Sequence, residues 1–500
     1  MKFENSILTK TKYVHGLECQ RLLWYECNSP SVVPEEDEAI QERFEQGKEV
    51  EELAKTLYSG GISVDLDKLG WNKAMELSKK VLEDRKPIFE AGFQYKELFA
   101  RADILNPVSR NQWDLIEVKS STSVKEEHLN DLSFQKYVYD SAGIKIRNCY
   151  LMHLNKEYVR QGEIDIQELF ETEDITEKVD EFLTETKENI QEMISIIRMK
   201  KCPELEDCTH CGDPDPCPIP DICWSFLPKR NIFFLYNDRG KKNINALWEK
   251  GILELEDIPD NFSLNEKQRI QVNTEKTGIP FVNVGKMSDF LKELKYPLYF
   301  LDFETFSIAI PQHDNSKPYE NIPFQYSLHI VSKPDRKIQH FEYLVEDQKD
   351  PRLELLNRLE KELGTEGTIL VYNETFEKGV LQKYAERFPK YKKWVDKILP
   401  RIVDLYKPFK SFYYYHPHQD GSASLKSVLP VLTGRKYEDM EIQEGGQASQ
   451  EFLRVTYTDV SQKERMRVRK ALKEYCKLDT EGMIDIIKAL ETLLKKMPRI

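Results

Sequence analysis

Two groups of acidic residues, far apart in the chain, carry the side chain types that phosphodiester chemistry needs. In the sharper one, Leu301-Asp302-Phe303-Glu304 follows the apolar run Tyr296-Pro297-Leu298-Tyr299-Phe300. The two-residue period of a strand puts Asp302 and Glu304 on one face near its end. Two carboxylates so placed repel each other unless a cation sits between them. A pair of divalent ions about 3.5–4 Å apart would stabilise the attacking and leaving oxygens of a phosphodiester during in-line displacement. Downstream, Leu370-Val371-Tyr372-Asn373-Glu374-Thr375-Phe376-Glu377 adds further acids, and Ile402-Val403-Asp404-Leu405 adds one with a supporting role. In Glu474-Tyr475-Cys476-Lys477-Leu478-Asp479, Tyr475 and Asp479 are four apart and share a helix face.

The other group lies upstream. Phe99-Ala100-Arg101-Ala102-Asp103-Ile104-Leu105 and Trp113-Asp114-Leu115-Ile116-Glu117-Val118-Lys119 read as neighbouring strands joined by the turn-rich stretch 106–111. Glu117 and Lys119 share a face, and strand pairing would bring Asp103 beside them. Asp103 and Glu117 are then candidate ligands for Mg²⁺ or Mn²⁺, hard cations that favour carboxylate oxygen, and Lys119 could orient the attacking water or stabilise developing charge. On the following helix Gln135 and Tyr139 are four apart, on one face, placed to hold the site or its nucleic acid. Glu-x-Lys by itself is equally the mark of an ordinary hairpin; the direction comes from the combination.

Nine cysteines are spread unevenly, with Cys19, Cys27, Cys149 and Cys476 scattered and Cys202, Cys208, Cys211, Cys217 and Cys223 close together. An odd number in a long chain disfavours a disulfide framework and favours a metal or cluster site. Cys208-x2-Cys211 has a zinc-knuckle spacing that Cys217 and Cys223 would complete as a Zn²⁺ tetrahedron. Aromatics interleaved with lysines, from Lys407 to His418 and on to Lys426, could stack bases and neutralise phosphates of a single strand. Packing of the domain's own loop is an equal reading, and Lys426 is the residue singled out to reach a phosphate.

The elements that must position these residues read as α/β. Residues 1–225 show helical segments, a strand pattern over 87–106, strands at 112–119 and 147–154, a helix over 126–141 and a long amphipathic helix over 176–199 that leads into the cysteines. Residues 226–290 read as a connector of short helices. From 291 to 500 the α/β pattern returns and ends on a long helix over 462–496. Five hundred residues, 40% hydrophobic and 32% charged, suffice for two or three domains. There is no run of eighteen apolar residues and no apolar core at the start of the chain, so no membrane is expected and the cytoplasm is the default. A net charge of -13 argues against a general polyanion-coating protein, because nonspecific affinity comes mainly from Lys and Arg, but leaves room for a local basic groove.

Asp103, Glu117, Lys119, Gln135 and Tyr139, in that order, resemble the RecB-like branch of the PD-(D/E)XK nuclease superfamily. That resemblance implies that Asp103, Glu117 and Lys119 are catalytic, the two acids binding metal, and that Gln135 and Tyr139 are the helix motif. One departure stands out: where many RecB-like enzymes carry a metal-binding His four residues after a helical Gly, Gly47 is followed here by Glu51, which is either a replacement ligand or a solvated helix residue. Related nucleases hold a [4Fe-4S] cluster with one cysteine before the nuclease core and three after it. Cys19, Cys211, Cys217 and Cys223 are similar to that set, with Zn²⁺ the rival. Asp302, Glu304, Glu377, Tyr475 and Asp479 resemble the DEDD exonucleases of the RNase H-like fold, tyrosine subclass. This implies metal ligation by Asp302, Glu304, Glu377 and Asp479, with Glu377 at a position usually held by Asp, and Tyr475 orienting the nucleophilic water. The whole order resembles a bacterial family catalogued as a domain of unknown function. The expectation is therefore a restriction-endonuclease-like domain (1–225), a helical connector (226–290) and an RNase H-like domain (291–500). The expected activity is metal-dependent nuclease action on DNA with single strands or free ends, in repair or defence. The alternatives are an RNA-processing exoribonuclease and a nucleic-acid-binding adaptor with one or both sites retired.

Overall fold

The computed structural model describes residues 7–34, 38–205, 217–238, 240–334 and 337–497. It is a mixed α/β protein whose sheets combine parallel and antiparallel pairs, and it divides into two compact units. The first comprises residues 1–226 with 308–320, and the second residues 227–307 with 321–500.

The first unit is built on a seven-stranded sheet. Strand β1 (Leu8–Thr9) runs directly into helix α1 (Lys10–Glu18), followed by α2 (Gln20–Asn28) and α3 (Glu38–Lys55). Strands β2 (Ile62–Ser63), β3 (Ile88–Tyr95), β4 (Leu98–Ser109), β5 (Gln112–Lys119), β6 (Lys145–Leu154) and β7 (Phe170–Asp174) lie side by side in that order, and β1 pairs in parallel with the start of β4. The single strand pattern expected over 87–106 is a hairpin. Its chain reverses at Lys96, whose φ is +53°, and β3 and β4 pair antiparallel. Helix α4 (Glu126–Ser141) is the crossover that makes β5 and β6 parallel. Helix α5 (Thr176–Ile197) packs its buried Val179, Ile190 and Met193 into the core shared with Phe134 and Val138 of α4.

The second unit opens with small helices around an apolar cluster of Ile232, Leu235, Leu247, Leu255, Ile258 and Val272, so the residues expected to connect carry a small core of their own. Its main sheet has five strands in the order β10-β9-β8-β11-β12, where β8 is Leu298–Phe306, β9 Ile322–Val331, β10 Gln339–Leu344, β11 Thr368–Val371 and β12 Ile402–Asp404. The central strand β8 is antiparallel to β9 and parallel to β11, which is parallel to β12. Four helices serve the site: α6 (Glu374–Arg387), α7 (Leu425–Thr433), α8 (Gly445–Tyr457) and α9 (Gln462–Lys496). The last spans the range its pattern predicts, is capped by Ser461, and buries Leu472, Ile486 and Leu490. No described helix is long and apolar enough to cross a membrane.

Candidate functional site

The first acidic group comes together as the strand pattern predicts. The β4–β5 pairing matches Ile104 with Ile116, so one step further on Asp103 comes level with Glu117. Asp103 Oδ2 accepts from the Val118 amide at 2.8 Å. Glu117, 1% exposed, is fully engaged: Oε1 meets Lys10 Nζ at 2.5 Å and Lys119 Nζ at 3.0 Å, and Oε2 accepts from Gln135 Nε2 at 2.7 Å. Lys119 also pairs with Asp131 at 2.5 Å. Burial works to raise the Glu117 carboxyl, but the Lys10 and Lys119 ammoniums outweigh it and hold it below the carboxylate range. Asp103 moves the other way, raised by burial and then by Glu117.

Tyr139 supports this group from behind. Glu90, which faces Asp103 across the β3–β4 ladder, has a φ of +57°, and the pairing skips from Phe89–Ile104 to Ala91–Ala102. The Tyr139 hydroxyl occupies the break, accepting from the Ala102 amide at 2.9 Å and donating to the Ala91 carbonyl. Its ring is fully buried beside Phe93, so it holds strands rather than substrate. Glu51 is no solvated helix residue. It pairs with Lys55 at 2.8 Å, and burial followed by Glu90 and Asp103 pushes its carboxyl well up, which places it among the acids of this group. Lys10 and Asp131 gave no signal in sequence: Lys10 lies in another segment entirely and arrives only because β1 docks on β4.

The described cysteines of the cluster-like set, which would clasp the two ends of the first unit, also come near one another. Cys19 caps α2, its sulfur accepting from the Leu22 amide at 3.3 Å. Arg21, two residues on, donates from Nε to Cys223 Sγ at 3.2 Å and from Nη1 to the Pro203 carbonyl at 2.5 Å. The Cys202 thiol is raised by burial, with Cys223 and Cys19 adding to it, and Cys217 is raised by burial, with Cys223 contributing. Cys202 is thus drawn into the group, while Cys211 lies outside the described residues. A set of sulfur donors suits an iron-sulfur cluster or zinc, and no disulfide joins the described cysteines.

The second group gathers at the carboxyl ends of parallel strands, where the sheet changes from an antiparallel hairpin to parallel crossovers, a position favoured for ligand sites in open α/β sheets. Asp302 and Glu304 come from β8, Glu377 from the first turn of α6, and Tyr475 and Asp479 from one face of α9. Glu304, Glu377 and Asp479 are all at most 7% exposed. Asp302 and Glu304 are both pushed far above the carboxylate range by burial and by Asp479, with Glu377 adding to each. Asp479 rises by burial despite a 2.5 Å hydrogen bond from the Tyr437 hydroxyl. Burial, with Asp404 adding, pushes Glu377 up to about 8, and its Oε2 has no hydrogen-bond partner. A buried carboxylate oxygen without a donor, near Asp302 and Glu304, suits a hard divalent cation.

Asp404 sits beneath this group. Its Oδ1 accepts from the amides of Asn373 at 3.0 Å and Tyr406 at 2.9 Å, fixing the turn at Asn373, φ +95°, from which α6 starts. Lys426, in the first turn of α7 behind the Ser424 cap, has its Nζ 5.8 Å from the ring centres of both Tyr437 and Tyr475 and draws down Glu304 and Asp479. Sequence reasoning missed Tyr437, Gly445 and Cys476. A Cβ at Gly445 would lie 3.7 Å from Glu304 Oε2 and 3.9 Å from the Tyr475 hydroxyl, so the start of α8 faces the acids. None of the three sits in a spacing that sequence could single out. Of the aromatic stretch, Phe409, Phe412, Tyr414 and Tyr415 are buried and pack on one another, which is the loop-packing reading.

These features define a mixed α/β protein with a buried carboxylate cluster on the central strand of its second sheet. Residues 299–424 match the family described as a domain of unknown function, DUF2779. The matched stretch holds Asp302, Glu304, Glu377 and Asp404 and ends before Lys426, Tyr437, Tyr475 and Asp479. Among curated proteins, the chain is similar to "uncharacterized protein MG366" of Mycoplasma genitalium, 28% identical over 246 residues, which is 45% of this chain and 36% of the relative. It is also similar to the homologue of that protein in Mycoplasma pneumoniae, 26% identical over 230 residues, 42% of this chain and 34% of the relative. The match thus spans about a third of the length of these relatives.

Proposed function

We propose that this protein is a metal-dependent nuclease whose principal catalytic centre is the second carboxylate cluster, with an RNase H-like second unit and a restriction-endonuclease-like first unit. The observation that carries the reading is the convergence of Asp302, Glu304, Glu377 and Asp479 from three elements, with Glu377 Oε2 buried and unpartnered. Bound there, Mg²⁺ or Mn²⁺ would polarise a phosphodiester and lower the pKa of an attacking water. The four acids hold the cation, the Tyr475 hydroxyl orients the water, and Lys426 takes a phosphate oxygen of the strand. The substrate is DNA with single strands or free ends, trimmed from the 3′ side; RNA is the other polymer the same cluster would serve. Repair or defence against foreign DNA is the setting. The clasp cysteines hold a [4Fe-4S] cluster, with Zn²⁺ the rival, and staple the two ends of the first unit.

A second reading of the first centre is favoured by one observation. Both oxygens of Glu117 are already engaged, Oε1 by two lysines, so cationic side chains stand where a metal would bind. On that reading the RecB-like centre binds nucleic acid without cutting it, and the second centre does the hydrolysis. The experiment is a cleavage assay on end-labelled single- and double-stranded DNA and RNA, with Mn²⁺ or Mg²⁺ and with chelator. Shortening of a labelled strand that needs the cation supports the proposal; no cleavage of any of the four substrates with either cation rejects it.

A further inference from the structure

Cys476 is a side chain that the nuclease reading does not use. It lies on α9 between Tyr475 and Asp479 and is fully buried. Its Sγ is 3.6 Å from Asp302 Oδ2 and 4.0 Å from the Asp302 carbonyl. One donor atom from each of Asp302, Glu304 and Cys476 can be chosen so that all three lie within 4.8 Å of one another. Donors sharing one tetrahedral ion, with metal–oxygen and metal–sulfur bonds of about 2.0–2.3 Å, sit about 3.3–3.8 Å apart, so small side-chain rotations would complete the set. A second, independent feature points to a ligand here: Glu377, 2% exposed, has a carboxylate oxygen without a partner and is close enough to Asp302 and Glu304 to raise both carboxyls.

We infer that Asp302, Glu304 and Cys476 form a binding site for a thiophilic divalent cation, Zn²⁺ or Cd²⁺, beside the unpartnered carboxylate of Glu377. Oxygen donors alone favour hard ions such as Mg²⁺ and Mn²⁺. A sulfur among them adds affinity for soft and borderline ions and little for hard ones. On binding, the metal–sulfur bond replaces the sulfur–hydrogen bond and the proton leaves to solvent, so no oxidant or reductant takes part. Zn²⁺ at this site would occupy the carboxylates that a hydrolytic Mg²⁺ or Mn²⁺ needs, which makes it a competitor for the centre. The inference rests on the cation-binding part of the function proposed above, but on no substrate.

The test uses the full chain, stripped of metal without oxygen and titrated with Cd²⁺ alone, while the thiolate-to-cadmium absorption is recorded for the parent and for Cys476→Ser. The other eight cysteines are common to both proteins and cancel in the difference. The parent should bind one more equivalent of sulfur-ligated Cd²⁺ than the variant. Cys476→Ser should weaken Cd²⁺ binding at this centre by about tenfold or more, the lower end of what losing even an outer partner of a metal costs. Mn²⁺ binding, followed by electron paramagnetic resonance, should weaken less. Superimposable Cd²⁺ titrations, or equal losses for Cd²⁺ and Mn²⁺, would overturn the inference. Should the variant not match the parent's circular dichroism, cadmium NMR of the parent decides: a resonance from a site with one sulfur among oxygens supports the assignment, and only sulfur-rich sites contradict it. If the Cd²⁺ arms differ and no nucleic acid is cut, the nuclease reading fails alone; if cutting needs the cation and the Cd²⁺ arms coincide, this inference fails alone.

Discussion

Glu377 is the side chain on which the second centre turns. Burial, with Asp404 adding, raises its carboxyl from 4.5 to about 8. In the metal-free protein the folded state therefore holds a proton that the unfolded chain gives up near pH 4.5. Between those values the native state binds more protons, and stability falls as pH rises. The contribution is fully present below about pH 4.5 and lost above about pH 8. We predict that unfolding monitored without divalent ions shows this decline between pH 5 and 8, that Glu377→Gln makes it shallower while the other raised carboxyls keep the remainder, and that saturating Mn²⁺ offsets it by favouring the ionised form. A decline of equal steepness in Glu377→Gln would assign the effect elsewhere. The same variant should lower 3′-end trimming by about 10-fold or more, because the amide keeps the size and loses the charge that a hard cation needs. Glu377→Asp should retain or raise it. If Glu377→Gln trims like the parent while Asp302→Ala is inactive, the fourth ligand lies elsewhere. At this scale the spacing of acids made Asp302, Glu304, Tyr475 and Asp479 legible, because strand and helix periods fix which residues share a face. Lys10, Asp131 and Tyr437 were not legible: each reaches its acid through tertiary packing, and a lone Lys, Asp or Tyr carries no period.

Among the elements, two tethers set the geometry. Helix α4 ties β3 to β4 through Tyr139, which bridges the ladder where Glu90 breaks it. Tyr139→Phe keeps the packing but strands the Ala102 amide and the Ala91 carbonyl, so it should destabilise the first unit by about 1–3 kcal/mol, measured by chemical unfolding. A loss below about 0.5 kcal/mol, less than a typical net hydrogen bond, would deny that role. In the second unit Asp404 holds the turn at Asn373 that launches α6. Asp404→Asn keeps an acceptor at Oδ1 and should trim nearly as the parent does, whereas Asp404→Ala should cost about 1–2 kcal/mol, as lost caps do, and lower the rate by displacing Glu377. Equal rates for the two variants would contradict a positioning role. Long periodic elements such as α5 and α9 were readable from sequence. The β3–β4 hairpin was not, because its reversal at Lys96 uses a positive φ at a residue with no Gly or Asn to announce it.

At the scale of the whole molecule, each unit presents its own acidic group, and the first adds a cysteine cluster. If the cysteines hold iron, protein purified without oxygen should be brown and contain about four irons per chain, as a cubane requires, and Cys19→Ser should lose colour and stability together. Colourless protein with stoichiometric zinc, unchanged by Cys19→Ser, would select zinc. From sequence, a separate connector is expected over 226–290, whereas residues 227–290 belong to the second compact unit; their small apolar cluster carries no pattern that assigns it to either side. That residues 308–320 return to the first unit was not legible either, because nothing in that loop's composition says which surface it covers. The measurement that bears most directly on the account is trimming of 3′-ended single strands, labelled at the 5′ end, in Mn²⁺, by the parent, Asp302→Asn and Lys119→Ala. The account predicts stepwise shortening by the parent and by Lys119→Ala and none by Asp302→Asn. Shortening that survives in Asp302→Asn, or that Lys119→Ala abolishes, would contradict it.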